Sequence, residues 1–244
     1  MKVILMTAKV FKIFIDFDGT ITKLDVGEAI FTKFGEPNTV TDIIEKYLDD
    51  KITAKECWLR LCDSVKGLDV KEFDSYIDTF EIDPSFPGFI KYCTENKFEH
   101  FVLSDGFDYY IDKIFVKENL GQLKVYSNKL VIDDNKLIPH FPYLDEGSKA
   151  SANCKHNHVI NHSGDEEFTI YIGDGASDKE TAQFCDFIFA KDDLLKYCEK
   201  ERITYFPYKN FDDVIKRLEE LRGKKRLKKR HQAYLKRKEV YQRG

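Results

Sequence analysis

Strands and helices alternate along most of the chain. Short runs rich in β-branched and aromatic residues predict strands at 10–17, 98–103, 168–172, 187–190 and 203–206, and a pair of short strands within 125–132. Apolar residues at three-to-four spacing predict helices between them, at 89–96, 108–117, 149–161, 179–185, 192–199 and 211–221. Parallel strands joined by helices need both faces covered. The alternation therefore predicts an α/β fold with a doubly wound, Rossmann-like parallel sheet.

An all-helical block interrupts this alternation after the first strand. Helices are predicted at 26–34, 40–48, 54–65 and from Asp69 to about Phe80, and Thr53-Ala54-Lys55-Glu56 is a capping-box sequence. Trp58 is predicted to lie in the small core of this block. We therefore expect a core domain formed by residues 1–21 and 83–221, with a helical cap, residues 22–82, inserted into it.

Polar clusters follow three of the predicted strands. They are Asp16 with Asp18, Ser104 with Asp105, and Asp174 with Asp178. Ligands of doubly wound sheets bind outside the carboxyl ends of the strands, so these clusters should meet. Neighbouring carboxylates repel unless a cation compensates them, and a cluster of oxygen ligands fits Mg²⁺. Taken singly, Asp-Gly and Gly-Asp-Gly are also ordinary turn sequences.

Four separated motifs resemble, in order and spacing, those of the haloacid-dehalogenase-like phosphohydrolases. They are Asp16-Phe17-Asp18-Gly19-Thr20, Leu103-Ser104-Asp105-Gly106, Cys154-Lys155, and Gly173-Asp174-Gly175-Ala176-Ser177-Asp178. The helical insertion resembles the cap of the phosphoserine phosphatase group. Residues 189–195 and 205–208 resemble the methylthio-ketopentenyl phosphate phosphatases of bacterial methionine salvage.

The chain departs from the methionine-salvage pattern at two motifs. Ser104-Asp105-Gly106 stands where those enzymes usually have Ser-Gly-Gly, and Cys154-Lys155-His156 stands where they have Cys-Lys-Pro. The acid at position 105 could change the polarity of the pocket. These differences leave the expected reaction intact but leave the substrate open.

The resemblance implies a Mg²⁺-dependent phosphatase that hydrolyses a small phosphorylated metabolite through an aspartyl-phosphate intermediate. Asp16 is then the nucleophile, Asp18 the general acid and base, and Lys155 the cation that neutralises the phosphoryl oxygens. The metal ligands are Asp16, the main-chain carbonyl of Asp18, and Asp174, while Asp178 orients water or Lys155. The implied phosphate and substrate contacts are Gly19, Thr20, Asp25, Ser104, Asp105 and Gly106.

Several alternatives stay open at this point. Asp25 lies where the phosphoserine phosphatase pattern has a substrate-binding acid, but it is equally well placed to cap the helix that begins near Val26. A phosphomutase of the same fold would use the same motifs. A catalytically silent protein that binds phosphate or nucleic acid is a further alternative.

The net charge of −4 hides an asymmetry between the body of the chain and its end. Residues 222–244, the basic C-terminal tail, hold eleven Lys and Arg and one Glu, whereas the first 221 residues hold 28 basic and 42 acidic residues. Without an accompanying nucleic-acid motif, we interpret the tail as a solvated helix that offsets an acidic body. Nucleic acid is therefore an unlikely partner, and the oligomeric state stays open.

The six cysteines show no CxxC pair, which favours reduced thiols and a cytoplasmic protein. No segment has the roughly 18 apolar residues that a membrane span needs, so we expect no membrane partner. Lys9 and Lys12 interrupt the apolar start, and no small-residue cleavage site follows, which disfavours a signal peptide. The spacing of Cys154, His156, His158 and His162 does not match a closed four-ligand zinc site.

Overall fold

The computed structural model describes residues 9–147, 149 and 151–243, with only the backbone described for 241–243. Within these residues a seven-stranded sheet has the order β4-β3-β2-β1-β5-β6-β7. The strands are β1 (Phe11–Asp16), β2 (Glu99–Phe107), β3 (Val125–Asp133), β4 (Lys136–His140), β5 (Phe168–Gly173), β6 (Phe187–Ala190) and β7 (Phe206–Pro207). Neighbouring strands are parallel, except for the antiparallel pair β3 and β4. The predicted α/β class with a doubly wound sheet is confirmed.

Helices surround this sheet. The described α-helices are α1 (Val26–Phe34), α2 (Pro37–Leu48), α3 (Ala54–Ser64), α4 (Val70–Ile77), α5 (Phe86–Glu95), α6 (Asp108–Lys117), α7 (Lys155–His162), α8 (Lys179–Ala182), α9 (Asp192–Lys200), α10 (Phe211–Gly223) and α11 (His231–Arg243). A single 3₁₀ turn, Ala176–Asp178, precedes α8. Within the ranges given above, no helix is long and apolar enough to cross a bilayer.

The central strand β1 is buried from both sides. Phe11, Ile13 and Ile15 belong to the larger core, which includes residues of α5, α6 and α10, whereas Phe14 belongs to a second core with residues of α7 and α9. This alternation follows from the period of two along a strand. Both faces of β1 are therefore largely apolar: Lys12 pairs with Glu99 near the amino end, and Asp16 lies at the carboxyl end.

The register of the sheet brings the polar strand ends together. Asp16, the last residue of β1, pairs with Leu103 of β2, so Ser104 lies one residue beyond it. On the other side Ile15 pairs with Ile172 of β5, which places Gly173 level with Asp16. The pairing of β2 with β3 shifts between Leu103 and Phe107, and such irregularities re-aim side chains at the end of a strand.

The two ends of the helical insertion, which carries α1–α4, lie side by side. Thr22 forms an antiparallel bridge with Ile82, and the Asp83 N–H donates to the Ile21 carbonyl at 2.8 Å. The buried side chains of α1–α4 continue the larger core without a break. The insertion therefore joins the sheet through a paired two-stranded connection, and its bounds as a separate cap stay a prediction.

Several predicted elements differ from the structure. The strand expected at 203–206 is the two-residue β7 (Phe206–Pro207), and the helix expected at 179–185 ends at Ala182. The strand pair expected within 125–132 is a longer hairpin, and its second strand starts only at Lys136. The turn lies at Asp134 and Asn135, which both have positive φ, as a two-residue turn between twisted strands requires. The helix expected from Lys149 begins only at Lys155. Backbone N–H groups just before it are bonded to a carboxylate, as described below, and cannot join a helix.

The basic C-terminal tail packs against the body, so the expectation of a solvated helix is wrong for part of it. Arg237 is buried, and its guanidinium donates to both oxygens of Asp186 at 3.3 Å and to Thr169 Oγ1 at 3.0 Å. Arg230 donates to the carbonyls of Ala182 and Gln183 at 2.6 Å. Two arginines thus anchor the tail beside β5 and β6.

Candidate active site

The polar strand ends converge on one buried lysine. The Lys155 ammonium donates to Asp16 Oδ1 at 2.5 Å, to Asp178 Oδ1 at 2.7 Å and to Ser177 Oγ at 2.9 Å. Lys155 is 1% exposed and Asp16 is 4% exposed. Carboxylate oxygens of Asp16, Asp174 and Asp178 all lie within 4.8 Å of one another. One cation thus lies among three carboxylates.

The protonation equilibria reflect this excess of negative charge. Burial, reinforced by the charge of Asp178, raises the pKa of Asp16 well above its usual value, although Lys155 opposes the shift. The same two causes raise the pKa of Asp174 to about 7. Burial alone would lower the pKa of Lys155, but the charges of Asp16 and Asp178 outweigh it and raise that pKa. The lysine therefore stays charged, and the carboxylates still need further positive charge.

Each carboxylate oxygen of Asp178 already accepts two hydrogen bonds. Asp178 could therefore bind a metal ion only by losing one of these hydrogen bonds. Its Oδ1 accepts from Lys155 and from the Tyr171 hydroxyl, and its Oδ2 accepts from the backbone N–H groups of Asp174 and Gly175, both at 3.0 Å. This arrangement orients Lys155 and fixes the turn that carries Asp174.

Gly19 and Thr20 hold the carboxylate of Asp174. Gly19 has a φ of +73°, and a Cβ at this position would lie 2.5 Å from Asp174 Oδ2. The Thr20 hydroxyl donates to Asp174 Oδ1. The turn after β1 thus requires glycine both for its conformation and for the close approach of Asp174.

Asp18 lies in a separate set of donors. Its Oδ2 accepts from Ser104 Oγ at 3.1 Å and from the Tyr110 hydroxyl at 3.2 Å, while its Oδ1 accepts from the Val26 N–H at 3.0 Å. Burial, with a smaller contribution from the charge of Asp25, raises the pKa of Asp18 to about 7. Asp16 and Asp18 therefore have different partners although they are two residues apart.

Gly106 makes room for this set of donors. Its N–H donates to Ser104 Oγ at 2.9 Å, and a Cβ here would lie 1.7 Å from the Tyr110 hydroxyl and 2.8 Å from Asp18 Oδ2. A side chain at position 106 would therefore displace the groups that contact Asp18.

Asp105 holds the segment that leads to Lys155. Its Oδ1 accepts from Ser151 Oγ and from the N–H groups of Ala152 and Asn153, each at 2.7 Å. Its Oδ2 accepts from Trp58 Nε1 of α3 at 3.3 Å. The carboxylate thus joins β2, the approach to α7 and the helical insertion. In this conformation it is directed at donors of the protein itself.

Asp25 makes the helix-capping contact. Its Oδ1 accepts from the Glu28 N–H at 2.8 Å, at the start of α1, while its side chain stays exposed. A substrate contact for Asp25 stays a prediction.

Sequence reasoning did not identify several residues at this site. Tyr110, Tyr171 and Asn153 lie outside the four motifs, Ser177 lies within the fourth motif without a predicted role, and Trp58 is predicted only for the core of the cap. Their roles depend on contacts between distant segments, such as the bond from Tyr110 to Asp18. The one available signal is that Ser177 lies within the fourth motif.

The residues at this site fit a magnesium ion. The donors are carboxylate oxygens, the ligands that Mg²⁺ prefers, and burial raises the pKa of Asp16 and Asp174 although Lys155 partly compensates their charge. Gly19 lets the Asp174 carboxylate approach the turn after β1, since a Cβ there would lie 2.5 Å from Asp174 Oδ2. Asp16 and Asp174 are the two carboxylates with the fewest protein donors in the described cluster.

The sequence of the chain matches the family described as Putative Phosphatase over residues 11–200. This chain belongs to that family. The chain is similar to a 2-hydroxy-3-keto-5-methylthiopentenyl-1-phosphate phosphatase of Bacillus mycoides, to which it is 30% identical over 216 residues that cover 86% of this chain and 96% of the relative. The Pdp3-interacting factor 1 of Schizosaccharomyces pombe is 29% identical over 219 residues, covering 86% and 95%. Membership identifies the chain as a haloacid-dehalogenase-like phosphatase, as its motifs predicted.

Solved structures share the fold. A phosphoserine phosphatase with a phospho-aspartyl intermediate analogue superposes with a TM-score of 0.66 at 20% identity, covering 86% of this chain and 98% of that one. A substrate-bound phosphoserine phosphatase has the same TM-score at 19% identity, with coverages of 86% and 98%. The predicted likeness to the phosphoserine phosphatase group is thereby confirmed for the fold.

Proposed function

We propose that this phosphatase is Mg²⁺-dependent and hydrolyses a small phosphate monoester through a covalent intermediate on Asp16. The observation that carries the proposal is the buried Lys155 ammonium between Asp16 and Asp178. A buried lysine paired with a carboxylate at the end of a central strand suits a nucleophile that must attack an anionic group.

In the first step an oxygen of Asp16 forms a bond to phosphorus while the bond from phosphorus to the leaving oxygen breaks. Asp18 gives its proton to that leaving oxygen, so that an alcohol departs. Lys155 offsets the negative charge shared by Asp16 and the phosphoryl oxygens. The Ser104 hydroxyl, which donates to Asp18 Oδ2 at 3.1 Å in this structure, turns to donate its proton to the phosphoryl group when substrate binds.

In the second step water attacks phosphorus, and Asp18 takes its proton. The bond between phosphorus and Asp16 breaks, which releases inorganic phosphate and restores the carboxylate. One side chain thus serves as acid and then as base. Its position among Ser104, Tyr110 and the start of α1 keeps it beside the reacting group in both steps.

Magnesium would be held by Asp16, Asp174 and the main-chain carbonyl of Asp18. When bound, it supplies positive charge to the phosphoryl oxygens. Asp178 keeps Asp174 and Lys155 in place through its four hydrogen bonds.

The helical insertion serves as a cap that excludes bulk water and selects the substrate. Support comes from the Trp58 to Asp105 hydrogen bond, which ties α3 to the strand end beside the site. The names of the relatives, which refer to a phosphorylated ketone and to phosphoserine, support a small phosphorylated metabolite as substrate. The six free, buried cysteines support a reducing compartment such as the cytoplasm.

The test is hydrolysis of an aryl phosphate by the wild type and by Asp16→Asn, with Mg²⁺ and with a chelator. We expect phosphate release only from the wild type with Mg²⁺. Metal-independent release, or an Asp16→Asn enzyme as active as the wild type, would contradict the proposal. A panel of phosphorylated metabolites then identifies the substrate, and isomerised product without free phosphate would indicate a phosphomutase.

A further inference from the structure

A second group of metal-binding side chains lies at the start of α7. Asp145, Cys154 and His156 each offer one ligand atom, and these three atoms all lie within 4.8 Å of one another. Cys154 is buried and the other two are half-buried. Sequence spacing alone does not reveal this group, because Asp145 lies nine residues before the cysteine.

The separations from Cys154 Sγ are close to those of a tetrahedral site. Cys154 Sγ is 3.4 Å from the nitrogens of His156 and 3.9 Å from Asp145 Oδ2. Around one tetrahedral zinc ion, bonds of about 2.3 Å to sulfur and about 2.0 Å to nitrogen or oxygen separate the ligand atoms by about 3.5 Å. The side chains can therefore reach a common ion with small adjustments.

Each ligand is also held by a second contact. The Cys154 N–H donates to the Tyr143 carbonyl at 3.0 Å, which fixes the loop that carries Asp145 beside α7. Asn157 Nδ2 donates to Asp145 Oδ2 at 3.1 Å. The His156 ring stacks on Phe184 with centroids 4.7 Å apart. Such supporting contacts orient ligands before a metal arrives.

The other two histidines of α7 are engaged elsewhere. His158 Nε2 lies 2.8 Å from Asn153 Oδ1, and His162 stacks on Phe101 with centroids 4.5 Å apart. His156, in contrast, has a carboxylate beside its ring: Glu180 Oε2 lies 3.7 Å from His156 Nδ1. A carboxylate beside one ring nitrogen is the usual arrangement when the other nitrogen binds a metal.

We propose that Asp145, Cys154 and His156 form a binding site for a zinc-class metal ion. A thiolate with an imidazole and one carboxylate selects zinc or cobalt over magnesium. Binding breaks the S–H bond of Cys154, forms a sulfur–metal bond and releases the proton to solvent. Three protein ligands leave the fourth position for water. The inference does not depend on the proposed reaction, although two of the ligands flank Lys155.

Cobalt(II) provides the test, because a cobalt–thiolate bond gives a charge-transfer absorption band in the near ultraviolet. The full chain, reduced and saturated with Mg²⁺, is titrated with Co²⁺ and then with Zn²⁺. We expect a cobalt–thiolate band that saturates at one Co²⁺ ion per chain. The band should disappear when Zn²⁺ replaces Co²⁺. Cys154→Ser should lose the band, whereas Asp174→Asn, which disrupts only the carboxylate cluster, should keep it.

The ligand set is checked by two further variants and one control. Asp145→Asn and His156→Gln should each weaken Co²⁺ binding by at least about tenfold, and His162→Gln should leave it unchanged. Circular dichroism confirms that each variant is folded. Absence of the band in the wild type, its persistence in Cys154→Ser, or unchanged affinity in both ligand variants would overturn the proposal. Each of these results is independent of phosphatase activity.

Discussion

Asp178 Oδ1 accepts a hydrogen bond from the Lys155 ammonium at 2.7 Å, and both side chains are almost completely buried. Lys155 also contacts Asp16, so Asp178 determines the position of the cation that neutralises the proposed nucleophile. We expect Asp178→Asn to lower kcat by about 10–100-fold, with a smaller change in KM. Steady-state kinetics on an aryl phosphate measures this. An unchanged kcat would show that Lys155 does not need its buried partner.

Magnesium should stabilise the protein through Asp174. The clustered carboxylates of Asp16, Asp174 and Asp178 repel one another, so a bound cation should raise the melting temperature of the wild type. Asp174→Asn removes one negative charge, and we expect it to melt no lower than the wild type without metal and to lose the Mg²⁺-dependent rise. Differential scanning calorimetry with Mg²⁺ and with a chelator measures both effects. An equal rise in the variant would place the metal elsewhere.

Asp105 should matter more to stability and turnover than its partner Trp58. Asp105→Asn weakens bonds to Ser151, Ala152 and Asn153, and we expect a loss of about 2 kcal/mol in the free energy of unfolding, together with a lower kcat. Trp58→Phe removes one hydrogen bond and keeps a ring, so it should cost about 1 kcal/mol or less. Urea unfolding and kinetics of both variants measure this. Equal effects would show that the approach to α7 does not depend on Asp105.

Acid should weaken the fold through His158. Burial, reinforced by the charges of His162 and His156, lowers the pKa of His158 to about 4, from 6.5 in the unfolded chain. The unfolded state therefore binds the proton first. The stability linked to this residue is present above pH 6.5 and is lost as the pH falls toward 4, by up to about 3 kcal/mol.

His158→Gln isolates this contribution because it removes the titrating group. In a metal-free buffer, the free energy of unfolding should fall more steeply in the wild type than in the variant between pH 6.5 and 4.5. Parallel curves would show that His158 protonates equally in both states.

Because Arg237 anchors the basic C-terminal tail, its removal should strongly destabilise the protein. Arg237→Ala leaves Asp186 buried without its cation, which should cost about 3–5 kcal/mol of unfolding free energy. The exposed pair of Lys66 with Asp63 provides a control, since Lys66→Ala should change stability by less than about 0.5 kcal/mol. Urea denaturation compares the two. Similar small losses would mean that the tail contributes little to the fold.

The sequence predicts the central strands β1, β2, β5 and β6 because they are largely buried and read as apolar runs. Helices with clear caps were also predicted closely, such as Val26–Phe34 after Asp25. The hairpin at Asp134 and Asn135 was misplaced because two consecutive residues with positive φ are not evident from periodicity. The start of α7 was misplaced because Asp105, far away in the chain, binds the backbone before it.

The sequence predicts those residues of the candidate site that lie at the carboxyl ends of predicted strands, such as Asp16, Asp18 and Asp174. The site was not predictable where a side chain reaches across the fold, as Tyr110 does to Asp18. The docking of Arg237 was missed for the same reason, because nothing local distinguishes it from the other basic residues of the tail. The roles of the individual site residues stay predictions until they are measured.

The covalent intermediate on Asp16 is the central claim, and acid-quenched mass spectrometry tests it most directly. Asp18→Asn should still react with an aryl phosphate, whose leaving group needs little protonation, but should hydrolyse the phosphoenzyme slowly. We predict that this variant, incubated with Mg²⁺ and an aryl phosphate, accumulates one phosphoryl group on the peptide that contains Asp16. A phosphoryl group on any other residue, or none on a variant that still releases phosphate, would contradict the account.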